Sequence, residues 1–133
     1  MSFDLSHLTA ADVPSGFRGV FRTDLTARAL YAEGAGIARC WPAAVAVPAD
    51  TDDVGTLAAW AKRTGAALIP RGSGSGMAAG AVGPGVVVDL SRLDKIGPVQ
   101  VESRRIRAGT GALRGAIDRA ARSHGLRFPV DPS

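Results

Sequence analysis

The hydrophobic pattern of this chain predicts short strands that alternate with helices. Residues 44–47, Ala-Val-Ala-Val between two prolines, are typical of a short buried strand. Residues 50–65 predict a helix, because Asp and Thr stand at its start and a glycine at its end. Its apolar stripe is formed by Val54, Leu57, Ala58 and Ala61. The apolar run 66–69 predicts a second strand, so residues 44–69 are expected to form a β-helix-β unit with a parallel pair of strands.

The pattern after this unit is less regular. The nearly continuous apolar run 86–90 predicts a strand that is covered on both faces. Residues 99–102 and 105–108 alternate polar and apolar positions, which predicts an antiparallel hairpin with a two-residue connection. Thr110 is expected to cap a second helix that ends before Gly125. The apolar stripe of that helix is formed by Leu113, Ala116, Ile117, Ala120 and Ala121.

The pattern is weakest at the start of the chain. Residues 1–21 have no sustained period and predict a lead-in segment or a short helix. Asp24 is expected to cap a short helix over residues 25–31, which ends before the Gly-Ala-Gly triplet of residues 34–36. Tyr31 is interpreted as a packing residue, and the alternative is that it contributes to the edge of a ligand site. We therefore divide the chain into an N-terminal lead-in, residues 1–29, and a single domain, residues 30–133.

The net charge of +4 raises the question of a nucleic-acid partner. The densest basic cluster, residues 104–107, is interpreted as the solvated face of a strand. In this interpretation Arg105 and Arg107 face water, while Ile106 and Ala108 point inward. The sequence has no zinc-ligand spacing and no aromatic-rich platform for single strands, so we expect no nucleic-acid partner.

The remaining candidate groups favour structural roles. The single cysteine, Cys40, is predicted to be a small buried hydrophobe. The acidic residues at 50–53 are interpreted as helix caps, so no metal site is predicted, and His124 is interpreted as a cation at a helix end. The start lacks a secretory signal, and glycines and a proline break the longest uncharged stretch, residues 72–88. A soluble, cytoplasmic protein without a membrane span is therefore expected.

The candidate chemistry is concentrated in residues 70–80, Pro-Arg-Gly-Ser-Gly-Ser-Gly-Met-Ala-Ala-Gly. Alternate glycines lack the Cβ atoms that keep a ligand away from the backbone, and they permit turns at positive φ. Successive amide N–H groups can then converge on an anion, most often a phosphate. Arg71 either approaches this phosphate or closes the loop structurally. We call residues 71–77 the glycine loop, and we favour an anion site over a flexible Gly/Ser connector because two predicted strands flank the loop.

Three better-known glycine motifs fit the loop poorly. A Walker loop requires a lysine on the phosphates, and no lysine occurs in or beside the loop. A hydrolase elbow requires glycine two residues before and two after its serine, which neither Ser73 nor Ser75 has. Residues 74–79 match the GxGxxA form of the dinucleotide fingerprint. That motif opens a helix, however, and the glycines and proline within residues 80–85 cannot sustain one.

An ordered series of segments resembles one known family. The segments are residues 41–48, 50–65, 70–76, 86–91, 107–109 and 128–133. Together they are similar to the FAD-binding domain of the p-cresol methylhydroxylase and vanillyl-alcohol oxidase family, and most similar to its D-lactate dehydrogenase and glycolate oxidase branch. The resemblance implies an α+β fold, in which a small β-α-β subdomain is followed by the start of a second, mixed or antiparallel α+β subdomain. It also implies an FAD-dependent oxidoreductase that, in its complete form, oxidises a small 2-hydroxy acid or alcohol.

The resemblance further implies a cofactor site. In this family FAD lies between the two subdomains, and its pyrophosphate rests on the glycine loop. The implied cofactor-binding residues are Arg71, Gly72, Ser73, Gly74, Ser75, Gly76, Met77, Gly80, Ala81, Pro132 and Ser133. We expect non-covalent binding, because residues 75–77 offer neither of the side chains, His or Cys, through which some relatives attach FAD.

The catalytic residues implied by the family lie beyond Ser133 and are unknown here. We therefore expect an N-terminal fragment that is inactive alone and requires a missing C-terminal half or a partner chain to act on its small-molecule substrate.

Two other hypotheses remain. A nicotinamide-binding Rossmann domain requires residues 77–85 to be helical. A non-enzymatic basic module would use the arginine-rich segment on a nucleic acid or an acidic partner, with salt-dependent binding.

Overall fold

The computed structural model of the chain describes residues 8–130. Its four strands are β1 (Val20–Arg22), β2 (Ala44–Val47), β3 (Leu68–Arg71) and β4 (Val86–Asp89). Its α-helices are α1 (Leu25–Leu30), α2 (Thr51–Thr64) and α3 (Arg114–Arg122), and a 3-10 helix covers Ala10–Asp12. These elements confirm an α+β fold.

The strands form one sheet in the order β1-β2-β4-β3. Strand β4 is parallel to both β2 and β3, with Val87 opposite Val45 on one side and Ile69 on the other. The sequence predicted the parallel direction of β2 and β3, but the expectation that they pair directly is wrong. The apolar strand β4 lies between them, where the neighbouring strands cover both of its edges.

Helix α2 begins and ends where the sequence predicts. The carboxylate of Asp50 accepts hydrogen bonds from the amides of Asp52 and Asp53, at 3.0 and 3.2 Å, and caps the helix. Gly65 ends the helix in the left-handed region, at φ 75°.

The buried face of α2 differs from the predicted stripe. Leu57 is buried as expected, but Ala58 is exposed and Trp60 is buried. The aromatic ring of Trp60 packs edge-on against Phe21 of β1, with the ring centroids 6.2 Å apart. Packing a large ring against the sheet outweighs burying a methyl group, so the helix turns its Trp60 side inward.

The main hydrophobic cluster lies between α2 and the sheet. Its buried members are Ala44, Ala46, Leu57, Trp60, Ala66, Val86 and Val88, and Phe21 packs against them. Strand β1, which supplies Phe21, pairs antiparallel with β2 and was not predicted from the sequence. The division at residue 30 stays a prediction about the family domain, because in the structure β1 and α1 pack on the same sheet.

Residues 91–130 are less regular than predicted. Instead of two strands, isolated bridges join Ile96 to Ala108 and Gln100 to Arg105. Residues 101–104 form the connecting turn, in which Arg104 has φ 50°. The antiparallel course of the hairpin is therefore confirmed, and the continuous strands and two-residue connection are wrong.

Helix α3 begins at Arg114, not after Thr110 as predicted. The reason is the preceding segment, where Gly109 and Gly111 donate to the carbonyls of Lys95 and Leu93, at 2.8 and 3.0 Å. These contacts hold the segment against residues 90–95, so its backbone cannot turn into a helix. Of the predicted stripe, Ala121 is buried and Leu113 is 62% exposed.

Candidate cofactor site

The glycine loop leaves the sheet at the carboxyl ends of its parallel strands. Strand β3 ends at Arg71, the first residue of the loop, and β4 ends beside it at Asp89. The amide of Leu90 donates to the carbonyl of Arg71 at 2.9 Å and joins the two strand ends. Ligands of parallel sheets gather at this edge.

The amide groups of the glycine loop are available for a ligand. Within the described residues 8–130, none of the N–H groups of residues 72–77 donates to a backbone or side-chain acceptor. All of these residues except Gly74 are exposed, and Gly74 has φ 71°. A run of unpaired amides that includes a residue in the left-handed region is typical of an anion-binding nest. The backbone therefore fits a diphosphate group.

The loop glycines are of two kinds. A Cβ atom built on Gly72, Gly76 or Gly80 would meet no heavy atom within 4 Å. A Cβ atom on Gly74 would lie 2.5 Å from Nη2 of Arg71. The fold therefore requires glycine at position 74, whereas the open space at the other three positions is available to a ligand.

The support for the loop comes from residues 33–36, between α1 and β2. The amide of Ala35 donates to the carbonyl of Gly74 at 2.9 Å. A Cβ atom on Gly34 would lie 3.0 Å from that carbonyl oxygen, and one on Gly36 would overlap the carbonyl of Met77. This support was missed from the sequence, where the Gly-Ala-Gly triplet was interpreted only as the end of a helix, although its paired glycines could have indicated close backbone packing.

The side chain of Arg71 connects the glycine loop to two neighbouring segments. Its guanidinium donates to the carbonyl oxygens of Glu33, at 2.8 Å, and Ala81, at 3.3 Å. It also lies over the ring of Tyr31, with Cζ 5.2 Å from the ring centroid. Of the two roles predicted for this arginine, the geometry favours structural closure, with its positive charge held beneath the loop.

Tyr31 joins this arrangement through its hydroxyl group, which donates to Oδ2 of Asp89 at 2.5 Å. Burial first, and then the hydrogen bond to Asp89, raises the pKa of Tyr31 to about 12. Burial pushes the pKa of Asp89 upward, but the hydrogen bonds from Tyr31 and the amide of Ser91 outweigh it and hold that pKa below its ordinary value. The interpretation of Tyr31 as a packing residue was incomplete.

The structure brings most predicted site residues together. The loop residues are consecutive, Met77 is 75% exposed, and Ala81 faces the loop through its carbonyl group. Pro132 and Ser133 lie outside the described residues.

The structure also tests three further expectations from the sequence. Residues 77–85 form turns and bends with no helix, so the Rossmann hypothesis is wrong. Arg105 and Arg107 are exposed, while Ile106 and Ala108 are half-buried, as the sequence predicted. Cys40 is half-buried rather than buried.

Neither a metal-ligand cluster nor a membrane-spanning helix occurs among residues 8–130. Among residues 8–130, no group of three or more His, Cys, Asp or Glu side chains is placed to hold a metal ion. No helix in the same range combines the length and apolar character that a membrane crossing requires.

The chain is similar in sequence to a dehydrogenase and to a subunit of an oxidase. It is 36% identical to D-2-hydroxyglutarate dehydrogenase of Pseudomonas putida over 123 residues, which cover 90% of this chain and 12% of that protein. It is 29% identical to glycolate oxidase subunit GlcD of Escherichia coli over 103 residues, covering 76% of this chain and 21% of the subunit. The chain therefore spans about an eighth to a fifth of the length of these relatives.

The fold is also similar to that of 6-hydroxy-D-nicotine oxidase from Arthrobacter nicotinovorans. The TM-score is 0.72 at 23% identity, and the similarity covers 86% of this chain and 26% of the oxidase. Residues 42–133, more than half of the chain, match the family described as FAD binding domain. With the glycine loop at the carboxyl edge of the sheet and its amides unpaired within the described residues, the match has one consequence: this chain belongs to the FAD binding domain family.

Proposed function

We propose that this chain binds FAD non-covalently through the glycine loop, as part of an oxidoreductase that acts on a small 2-hydroxy acid. The observation that carries the proposal is the run of amide groups at residues 72–77 that have no acceptor among residues 8–130. Unpaired main-chain donors beside the half-buried cation of Arg71 favour a doubly charged diphosphate.

The proposed contacts divide by residue type. The amides of residues 72–75 would hold the phosphate oxygens, and Arg71 would contribute its charge from beneath the loop. Residues 76, 77, 80 and 81 would line the path of the cofactor, where open space at Gly76 and Gly80 supports the assignment. Contacts from Pro132 and Ser133 stay predictions.

The chemistry of the bound group is that of any flavin, which accepts a hydride equivalent from a substrate carbon. The residues of this chain would bind and orient the phosphate end of the cofactor, which positions the reactive ring elsewhere in the protein.

The substrate class is supported by the relatives. Their names specify D-2-hydroxyglutarate and glycolate, which are both 2-hydroxy acids. Since the chain spans only 12% of the first of these proteins, we propose that further polypeptide supplies the catalytic residues. A cytoplasmic location stays a prediction.

The experiment is a titration of the ¹⁵N-labelled chain with FAD, ADP and riboflavin, followed by the backbone amide resonances. FAD and ADP share the diphosphate, so both are expected to shift the resonances of residues 72–77. Riboflavin has no phosphate and is expected to leave them in place. Equal shifts by riboflavin, or FAD shifts confined to other residues, would contradict the proposal.

Glycine variants sharpen the same test. Gly72→Ala and Gly76→Ala place a methyl group in open space, so the fold is expected to tolerate them while FAD and ADP affinity falls about tenfold or more. Gly55→Ala is the matched control, because its Cβ also meets nothing within 4 Å but lies in α2. If the chain alone binds neither ligand, the protein extended by its downstream reading frame is tested in the same way. Absence of flavin from that protein would refute the assignment.

A further inference from the structure

Tyr31 links three elements at the carboxyl edge of the sheet. It follows the last residue of α1, its hydroxyl reaches Asp89 at the end of β4, and its ring lies under the guanidinium of Arg71 at the end of β3. We call Tyr31, Asp89 and Arg71 the tyrosine latch.

The latch sets the position of the Arg71 guanidinium. Three partners surround this group: the ring of Tyr31 and the carbonyl oxygens of Glu33 and Ala81. The two carbonyls lie on separate segments that flank the loop. The attraction of the cation to the ring of Tyr31 and to the charge of Asp89 keeps the guanidinium between these two segments.

The guanidinium in turn shapes the glycine loop. A Cβ atom built on Gly74 would lie 2.5 Å from Nη2 of Arg71, and Gly74 has φ 71° at this point of contact. The carbonyl of Gly74 is held from the other side by the amide of Ala35 at 2.9 Å. A shift of the Arg71 guanidinium would therefore remove one of the two contacts that hold Gly74, the loop residue with the positive φ.

We propose that Tyr31 is a positioning residue for the cofactor diphosphate, which acts by holding Arg71 against Gly74 and so keeps the glycine loop in its anion-binding shape. This inference rests on the proposed function, because it assigns a role within the same site. Among the described residues the hydroxyl of Tyr31 bonds to Asp89 and its ring contacts Arg71, so its influence on the loop amides passes through these two residues.

The first test uses two variants and ADP as the probe. Tyr31→Phe keeps the ring under Arg71 and removes the hydrogen bond to Asp89, and we expect ADP affinity to fall about tenfold. Tyr31→Leu removes both contacts, and a larger loss is expected. Thr56→Val is the matched control, because it removes a hydroxyl hydrogen bond within α2. Its ADP affinity is expected to equal that of the wild type.

Hydrogen exchange separates a local from a global effect. In Tyr31→Phe we expect faster exchange of the amides at residues 72–77, with the amides of β2 and β4 protected as in the wild type. Asp89→Asn removes the charge near Arg71 as well as one of the two acceptor oxygens, so its ADP affinity is expected to fall at least as far as that of Tyr31→Phe. Exchange that rises equally throughout the sheet would assign Tyr31 a general stabilising role and overturn the proposal.

The wild-type chain provides a test that no variant can compromise by unfolding. Tyr31 is the single tyrosine of the sequence, so 3-fluorotyrosine labelling gives one ¹⁹F resonance. Saturation with ADP or inorganic pyrophosphate is expected to shift this resonance, because the loop and the latch share Arg71. An unmoved resonance, or wild-type ADP affinity in Tyr31→Phe, overturns the inference alone. A wild-type protein that binds neither ADP nor FAD, also when extended, overturns the proposed function.

Discussion

Residues 8–90 and residues 91–130 are stabilised in different ways. The first region contains all four strands and every described member of the main hydrophobic cluster. In the second region, turns, two isolated bridges and one nine-residue helix replace a sheet. Val101, Leu113 and Val130 are exposed there. The difference indicates that the first region is stabilised mainly by burial of apolar side chains, whereas the second is stabilised mainly by backbone contacts.

Charge divides the chain at the same point. Of the 16 Lys and Arg residues nine follow Leu90, compared with four of the 12 Asp and Glu residues. The positive net charge of the protein therefore belongs to the second region, in which Arg105 and Arg107 are exposed. Because this region buries few apolar side chains, we expect its stability to depend mainly on its attachment to the first region.

The largest expected effect tests the core of the first region. Leu57 is fully buried between α2 and the sheet, so Leu57→Ala is expected to lower the free energy of unfolding by about 3 to 4 kcal/mol. Leu113→Ala is the matched control in the second region and should cost about 0.5 kcal/mol or less. Urea denaturation measures both. Equal costs would mean that the second region has a core of its own.

The next prediction tests how the second region is attached. A Cβ atom on Gly111 would overlap the carbonyl oxygen of Leu90, so Gly111→Ala is expected to cost about 2 to 3 kcal/mol. On Gly115 of α3 the Cβ atom would lie 3.6 Å from Nη1 of Arg119, an ordinary contact. Gly115→Ala should therefore stabilise the protein by about 0.5 to 1 kcal/mol. Thermal unfolding measures both variants. If close backbone approach at Gly111 holds the second region in place, only Gly111→Ala lowers the melting temperature. If the general preference for alanine over glycine dominates, both substitutions raise it.

A smaller effect concerns the buried carboxylate of Asp53, which accepts hydrogen bonds from the amides of Arg18, at 3.0 Å, and Ala49, at 2.8 Å. Burial pushes its pKa upward, but these hydrogen bonds and the charge of Arg18 outweigh burial, so the pKa lies below its ordinary value. Its stabilisation is therefore complete above the unfolded pKa of about 3.9 and is lost as the pH falls through the lower folded pKa.

Asp53→Asn is expected to cost about 2 kcal/mol at pH 7 and to weaken the pH dependence of unfolding below about pH 4. The exposed neighbour Asp52 provides the control, since Asp52→Asn should change the free energy of unfolding by about 0.5 kcal/mol or less. Urea denaturation between pH 3 and pH 7 measures both variants. An unchanged pH profile in Asp53→Asn would assign the acid sensitivity to other carboxylates, such as Asp118 in the second region.

The sequence predicted best where local signals are strong. Strand β2, helix α2 and strand β4 have dense apolar positions, and α2 carries a capping aspartate and a terminal glycine. Strand β1 was missed because its three residues, Val20–Arg22, are too few to show a period. The start of α3 was wrong because close packing at Gly109 and Gly111 overrides the capping signal of Thr110.

The sequence by itself determined the alternation of strands and helices between residues 44 and 90. It also determined the presence of the glycine loop, whose backbone is accessible because alternate residues lack a side chain. These properties depend on neighbouring residues, whose backbone preferences and spacing are written along the chain. Tertiary structure alone decided that β4 lies between β2 and β3, that residues 33–36 support the loop, and that Tyr31 meets Asp89. Such contacts join residues up to 58 positions apart, and they form because a folded sheet brings separate strand ends to one edge.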